Sequence, residues 1–214
     1  MSHQISGKQF DELAGADGWR ALWGGGRGCA HFRTGSFGVG AALVQAISDL
    51  PSAAGHQVDV DLRGDGVTVR IFTGYPGGLS DKDVQVARDI SAAARNLDLT
   101  ADPSAVQHVQ VAIDALAIPA VRPFWRAVLG YDEFDDADLL DPHRSWPTFW
   151  FQQMDAERPQ RGRIHIDIYV PRDQVEARIA AGLAAGGRMV RDNGPNWWTL
   201  ADAEGNEADL AVWG

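Results

Sequence analysis

The chain has 214 residues, 45% hydrophobic and 22% charged, the balance of a globular protein with room for one large or two small domains. Nineteen basic against twenty-nine acidic side chains leave a net charge of −10 and an isoelectric point near 4.9, so there is no basic stripe for a phosphate backbone and direct nucleic-acid binding is not expected. The single cysteine, Cys29, excludes an intramolecular disulfide framework and any CxxC metal or redox motif. No apolar run approaches the roughly 18–20 residues of a membrane span, and MSHQISGKQF lacks the apolar stretch of a secretory signal. The expectation is a cytoplasmic protein with no membrane partner.

Charge is unevenly spread. Residues 1–100 hold nine basic and eleven acidic side chains, whereas residues 101–214 hold ten and eighteen, together with six of the eight tryptophans. The change falls where a helical pattern ends in Asn96-Leu97-Asp98-Leu99-Thr100-Ala101-Asp102-Pro103-Ser104, a polar stretch bearing a proline. Two domains are expected, 1–100 and 101–214, each of ordinary domain size.

In the first half, residues 5–14 suit a short helix and the Phe/Leu/Ile pattern from Phe37 to Leu50 suits a longer one. Val58, Val60 and Leu62 alternate with Asp59 and Asp61, a Gly64-Asp65-Gly66 turn follows, and Val67, Val69 and Ile71 alternate with Thr68 and Arg70. That is a hairpin with one buried face. Ser80 can then cap a helix carrying Val86, Ile90, Ala94 and Leu97 at helical spacing. The glycines from Gly24 to Gly28 lack the Lys-Ser/Thr of a phosphate loop and are taken as a turn. The fold class is α+β, with helices packed on an antiparallel sheet.

Three stretches, HFRTGSFGVGAALVQAISD, GHQVDVDLRGDGVTVRIFT and GYPGGLSDKD, with the Gly18-Trp19 pair, resemble the pterin-4a-carbinolamine dehydratases over nearly all of residues 5–97. That family dehydrates 4a-hydroxytetrahydropterins to quinonoid dihydropterins with a His-His-Pro motif at the head of the hairpin, a Thr-His after it and an Asp in the next helix. The resemblance places the first His at His56 and the helix Asp at Asp83 as catalytic residues, with Gln57 and Thr73 at substrate-binding positions. It needs no cofactor in this domain, and it implies a homodimer. The sequence departs from the pattern at Gln57 for the second His, Val58 for the Pro and Gly74 for the His after Thr73. Dehydration needs an acid for the departing 4a-hydroxyl and a base for the N5 proton, tasks suited to imidazole near neutrality. Gln57 can hydrogen-bond a pterin but exchanges no proton at neutral pH. Plainer roles stand beside these: His56 shares strand parity with Val58 and Val60 as a core-edge histidine would, and Asp83 stands at the capping-box position three residues after Ser80.

In the second half, residues 107–113 alternate, with Val109, Val111 and Ile113 opposite His108, Gln110 and Ala112. A helix through Phe124, Trp125, Val128 and Leu129 ends at Gly130, and an aromatic strand covers 148–154. The order then repeats: strand 163–170, helix 172–185, and strands near 188–191, 196–200 and 207–213, an internal repeat of about 55 residues. Ile164, Ile166, Ile168 and Val170 form an apolar row opposite His165, Asp167 and Tyr169, and Ala208, Leu210 and Val212 oppose Glu207, Asp209 and Ala211. A sheet face bearing His108, His165 and Asp209 offers two imidazoles and a carboxylate, the set of an open-coordinated divalent metal site. A polar sheet face is also what a solvated surface looks like. Asp167 is expected to fix a neighbouring side chain. Of Trp146, Trp150, Trp197, Trp198 and Trp213, expected chiefly in the core, Trp150 has the strand parity to stack on a flat ligand.

HVQVAIDAL, FWRAVLGY, RIHIDIYV and WWTLADAEGNEADLAVW resemble the glyoxalase-like branch of the vicinal-oxygen-chelate superfamily over 105–214. The resemblance implies paired βαβββ modules and places metal ligands on the first, fifth and eighth strands, at His108, His165 and Asp209. Strand four offers Gln152 where glyoxalase I has a Glu, and strand eight the shorter Asp209. Three readings follow: a lyase acting on a reduced pterin or another flat heterocycle, a metal-dependent enzyme of the second domain, and a non-catalytic small-molecule-binding protein.

Overall fold

The computed structural model of the chain describes residues 3–22, 27–73, 78–134, 136, 138–157, 165–170 and 173–211. It forms two compact units, Met1–His108 and Val109–Gly214.

The first unit runs β1 (Gln4–Ile5), α1 (Gly7–Ala14), β2 (Arg20–Leu22), β3 (Arg27–Arg33), α2 (Phe37–Ser48), β4 (Gln57–Leu62), β5 (Gly66–Phe72), β6 (Leu79–Ser80) and α3 (Asp81–Arg95). β2, β3, β5 and β4 make an antiparallel sheet in that order, and β1 pairs with β6 in a short separate ribbon. The hairpin register sets Val58 opposite Ile71, Val60 opposite Val69 and Leu62 opposite Val67. Val67, Val69 and Ile71 join Ala30 and Phe32 of β3 in the core, closed by Leu43 and Ile47 of α2 and by Val84, Ala87, Ile90 and Ala94 of α3. Local chemistry starts the helices. Ser6 Oγ accepts from the Gln9 N–H at 3.2 Å while Gln9 Oε1 accepts from the Ser6 N–H at 2.8 Å, a reciprocal box that opens α1. Trp19 is buried edge-on to Phe10, and its indole N–H donates to Ser91 Oγ of α3 at 2.9 Å. Gly28 is required here, because a Cβ would stand 2.5 Å from the Phe10 ring.

Residues 101–105 stay on this unit. Ala101 bridges Phe32, the Asp102 N–H donates to the His31 carbonyl at 2.7 Å, and Asp102 pairs with Arg33 at 2.7 Å. The Ser104 hydroxyl, then Arg33, hold the Asp102 carboxyl down to about 2.

The second unit repeats one motif. β7 (Gln110–Ala115), α4 (Ile118–Leu129), β8 (Asp132–Phe134), β9 (Asp138–Leu140) and β10 (Thr148–Gln153) are followed by β11 (Ile166–Tyr169), α5 (Val175–Ala184), β12 (Arg188–Asn193), β13 (Trp197–Ala201) and β14 (Glu207–Ala211). The sheets have the orders β7-β10-β9-β8 and β11-β14-β13-β12, and in each the first strand runs parallel to the last. These are the expected paired βαβββ modules. Ile113, Phe149 and Phe151 of the first sheet and Leu200, Ala208 and Leu210 of the second share one core with Val121, Phe124, Trp125 and Val128 of α4. α5 meets α4 closely because Gly182 and Gly187 carry no side chain; a Cβ at Gly187 would stand 2.4 Å from the Phe124 ring. No helix among the described residues is long and apolar enough to cross a membrane.

Several expectations need correction. Arg27 and Gly28 are not part of a turn but open β3; Gly24–Gly26 lie outside the described residues. The strand expected over 107–113 begins at Gln110, so His108 precedes it and belongs to the first unit. Trp146 is not core but 70% exposed, and Trp213 lies outside the described residues. The strand expected over 163–170 is described as Ile166–Tyr169, with 163 and 164 outside the description.

Candidate functional site

The ends of three elements meet at one edge of the first domain. His56 stands immediately before β4 and Thr73 immediately after β5, and the pairing of Gln57 with Phe72 puts both at the same end of the hairpin. The N-terminus of α3 arrives there too, with Asp83 in its first turn.

Asp83 is fully buried and divides its two oxygens between two tasks. Oδ2 accepts from the Ser80 N–H at 2.7 Å, the Ser80 hydroxyl at 2.9 Å and the Thr73 hydroxyl at 2.6 Å. Oδ1 lies 2.9 Å from His56 Nε2. The capping and catalytic readings of Asp83 are therefore compatible, since the cap uses one oxygen and the imidazole the other. Burial in a low-dielectric site strengthens each bond, and the α3 N-terminus favours the anion. A carboxylate accepting at Nε2 places a proton on that nitrogen and leaves Nδ1 as the ring's second functional atom. The His56 side chain is 9% exposed, so the ring is fixed by packing as well as by Asp83.

The other predicted residues of this domain divide. Thr73 belongs to the Asp83 shell: its hydroxyl donates to Asp83 Oδ2, and its oxygen lies 2.6 Å from the Ser80 hydroxyl oxygen, which faces the same carboxylate. Gln57 is exposed, and its amide donates to Asp59 Oδ1 at 3.2 Å. Val58 packs against the core. Gly74 lies outside the described residues. Ser80, expected only as a cap, is a third member of the Asp83 network.

In the second domain, ligand atoms of His165, Asp167 and Asp209 all lie within 4.8 Å of one another. The parallel register of β11 and β14 sets Asp167 beside Asp209, and His165 shares the face of Asp167 two residues away. His165 Nε2 stands 3.3 Å from Asp167 Oδ1 and 3.9 Å from Asp209 Oδ2. Asp167, expected to fix a neighbour, does touch His165 and also completes the cluster. His108 is not a member; burial first, then the charges of Arg27 and Arg70, lower its pKa in the first unit. Gln152 is exposed near the end of β10, and Trp150, half-buried on the same strand, pairs with Asp138.

Comparison with known proteins follows the same division. Residues 3–93 match the pterin 4 alpha carbinolamine dehydratase family, and residues 110–211 match the glyoxalase-like domain. A protein of Mycolicibacterium vanbaalenii named for pterin-4-alpha-carbinolamine dehydratase is 36% identical over 87 residues, which are 40% of this chain and 91% of that relative. The chain belongs to the pterin-4a-carbinolamine dehydratase family through its first domain. A similarly named protein of Nocardia farcinica is 38% identical over 60 residues, 28% of this chain and 63% of the relative. Among solved structures, a transcriptional coactivator/pterin dehydratase from Brucella melitensis aligns over 43% of this chain and 99% of its own, at 19% identity and a TM-score of 0.39. A glyoxalase-related enzyme from Fulvimarina pelagi aligns over 50% of this chain and 89% of its own, at 16% identity and a TM-score of 0.40.

Proposed function

We propose that the first domain is a hydro-lyase that dehydrates a 4a-hydroxytetrahydropterin with His56 as its proton carrier and Asp83 as the residue that positions it. The buried 2.9 Å contact between His56 Nε2 and Asp83 Oδ1 carries this reading, because it fixes the ring and leaves Nδ1 for the proton transfer. One imidazole suffices if it acts twice. Protonated His56 gives its Nδ1 proton to the 4a-hydroxyl, the C4a–O bond breaks with the N5 lone pair forming N5=C4a, and water leaves. The neutral ring then takes the N5 proton, which yields the quinonoid dihydropterin and restores the imidazolium. Gln57 contributes hydrogen bonds only, so a second proton carrier at that position should help. Gln57→His is expected to raise the dehydration rate about tenfold, at the low end of what a positioned acid or base supplies. A rate unchanged by Gln57→His would contradict a site limited by proton traffic. The resemblance to the dehydratases is what supports self-association of this domain as a homodimer, and a sedimentation mass near 23 kDa would contradict it.

The convergence of His165, Asp167 and Asp209 favours a second activity, a divalent-metal site in the glyoxalase-like domain. One imidazole nitrogen and two carboxylates fit such an ion, which His165, Asp167 and Asp209 would hold on a solvent-exposed part of the sheet face. A cation there would act as a Lewis acid on an oxygen of a bound small molecule.

A further inference from the structure

The row of residues that crosses the second βαβββ sheet does not stop at the two carboxylates. Asp209 pairs with Asp167 of β11 on one side and with Thr199 of β13 on the other, so the three side chains stand on one face of three adjacent strands. The opposite face, with Ile166, Ile168, Leu200, Ala208 and Leu210, belongs to the core. Thr199 differs from its row neighbours in being 1% exposed, and its Oγ1 makes no hydrogen bond among the described residues. Native proteins rarely leave a buried hydroxyl unmatched, because nothing then offsets its desolvation. If shape alone mattered at this strand position, valine would fill the same volume without the hydroxyl.

The geometry points to Thr199 as the hydrogen-bonding partner of an oxygen on a cation held by His165, Asp167 and Asp209, a bound water in the resting protein. The inference rests on the metal reading of the second domain and adds to it a positioning residue that binds no metal itself. A hydroxyl one strand from Asp209 is within reach of the first hydration shell of an ion on that carboxylate, since neighbouring strands lie about 4.8 Å apart. Such a contact orients the metal-bound oxygen and strengthens the binding of the ion that carries it.

The test is a titration of the full chain with Mn²⁺, following free ion by electron paramagnetic resonance. Wild type should take up one ion per chain and His165→Ala should lose it. Thr199→Val should bind about tenfold more weakly, the worth of one hydrogen bond to a charged complex, and Thr199→Ser should bind like wild type. Urea unfolding without metal should show Thr199→Val at least as stable as wild type, because the change removes an unmatched buried hydroxyl. Weaker ion binding in a more stable protein is a combination that a packing role does not produce. Should Thr199→Val fail to fold, Thr199→Ala makes the same comparison against Thr199→Ser. Mn²⁺ affinity in the hydroxyl-free variants equal to wild type would overturn the role of Thr199 and leave the metal reading standing. Absence of stoichiometric Mn²⁺ binding by wild type would overturn both.

Discussion

Replacing Asp83 with asparagine is expected to lower the 4a-hydroxytetrahydropterin dehydration rate by about a hundredfold or more while leaving a folded protein. The substitution keeps the volume of a fully buried side chain, so packing around the α3 N-terminus survives. What changes is the polarity of one atom in the network. Four donors converge on the two carboxylate oxygens: the Ser80 N–H, the Ser80 and Thr73 hydroxyls and the His56 ring. An amide has one acceptor oxygen for them, and its NH₂ must face a donor or force His56 to present a bare nitrogen. If the amide oxygen stays with Ser80 and Thr73, the NH₂ faces Nε2 and the ring proton moves to Nδ1. His56 then holds the wrong tautomer and has no anion to stabilise its protonated form. Asp83→Ala goes further, removing the cap and leaving buried hydroxyls without a partner, and should cost about 2–4 kcal/mol of stability. Urea unfolding alongside the rate assay separates the two effects. Asp83→Asn with full activity and normal stability would show that the carboxylate only caps α3.

The second large effect lies away from either site. Asp202→Ala should destabilise the glyoxalase-like domain by about 3 kcal/mol or more, read as a shift in its urea midpoint. Asp202 is fully buried in the turn between β13 and β14. Its Oδ1 accepts from the Glu204 and Asn206 N–H groups at 2.9 Å each, and its Oδ2 from the Asn206 amide at 2.8 Å and the Trp125 indole at 2.9 Å. The same turn sends Glu204 to the start of α4, where its carboxylate accepts from the Leu116 N–H at 2.8 Å and the Ala117 N–H at 2.6 Å. One turn of the second module thus ties down the helix of the first. Removing the Asp202 carboxylate strands the buried Trp125 N–H and loosens the residues that hold Glu204 in place. A midpoint within experimental error of wild type would mean that the turn keeps its shape without Asp202.

How much of this was legible in the sequence depended on the strength of periodicity. The β4–β5 hairpin was plain because Val58, Val60, Leu62, Val67, Val69 and Ile71 keep strict alternation around a Gly-Asp-Gly turn. β3 escaped because its inward row is Gly28, Ala30 and Phe32, whose first two members are too small to register as an apolar stripe, while its outward row includes Cys29. The short β8 and β9, with three residues each, fall below the length at which alternation can be recognised.

At the sites, identity was legible and geometry was not. His56 and Asp83 stood out by motif, but the division of the Asp83 oxygens between cap and imidazole requires the approach of β4, β5 and α3 to one point. Alternation over 107–113 puts His108 in strand parity with Gln110, but the strand begins only after His108. Asp167 was visible at the right parity beside His165. Thr199 carried no signal, because only the antiparallel register of β13 with β14 sets it next to Asp209 and only burial exposes its hydroxyl as unmatched.

The most direct test of the account is the rate of 4a-hydroxytetrahydropterin dehydration by wild type beside His56→Ala, each measured against the uncatalysed background. The account predicts clear acceleration by wild type and a return to background when the imidazole is removed. No acceleration by wild type, or acceleration that survives in His56→Ala, would contradict a dehydratase working through a single histidine held by Asp83.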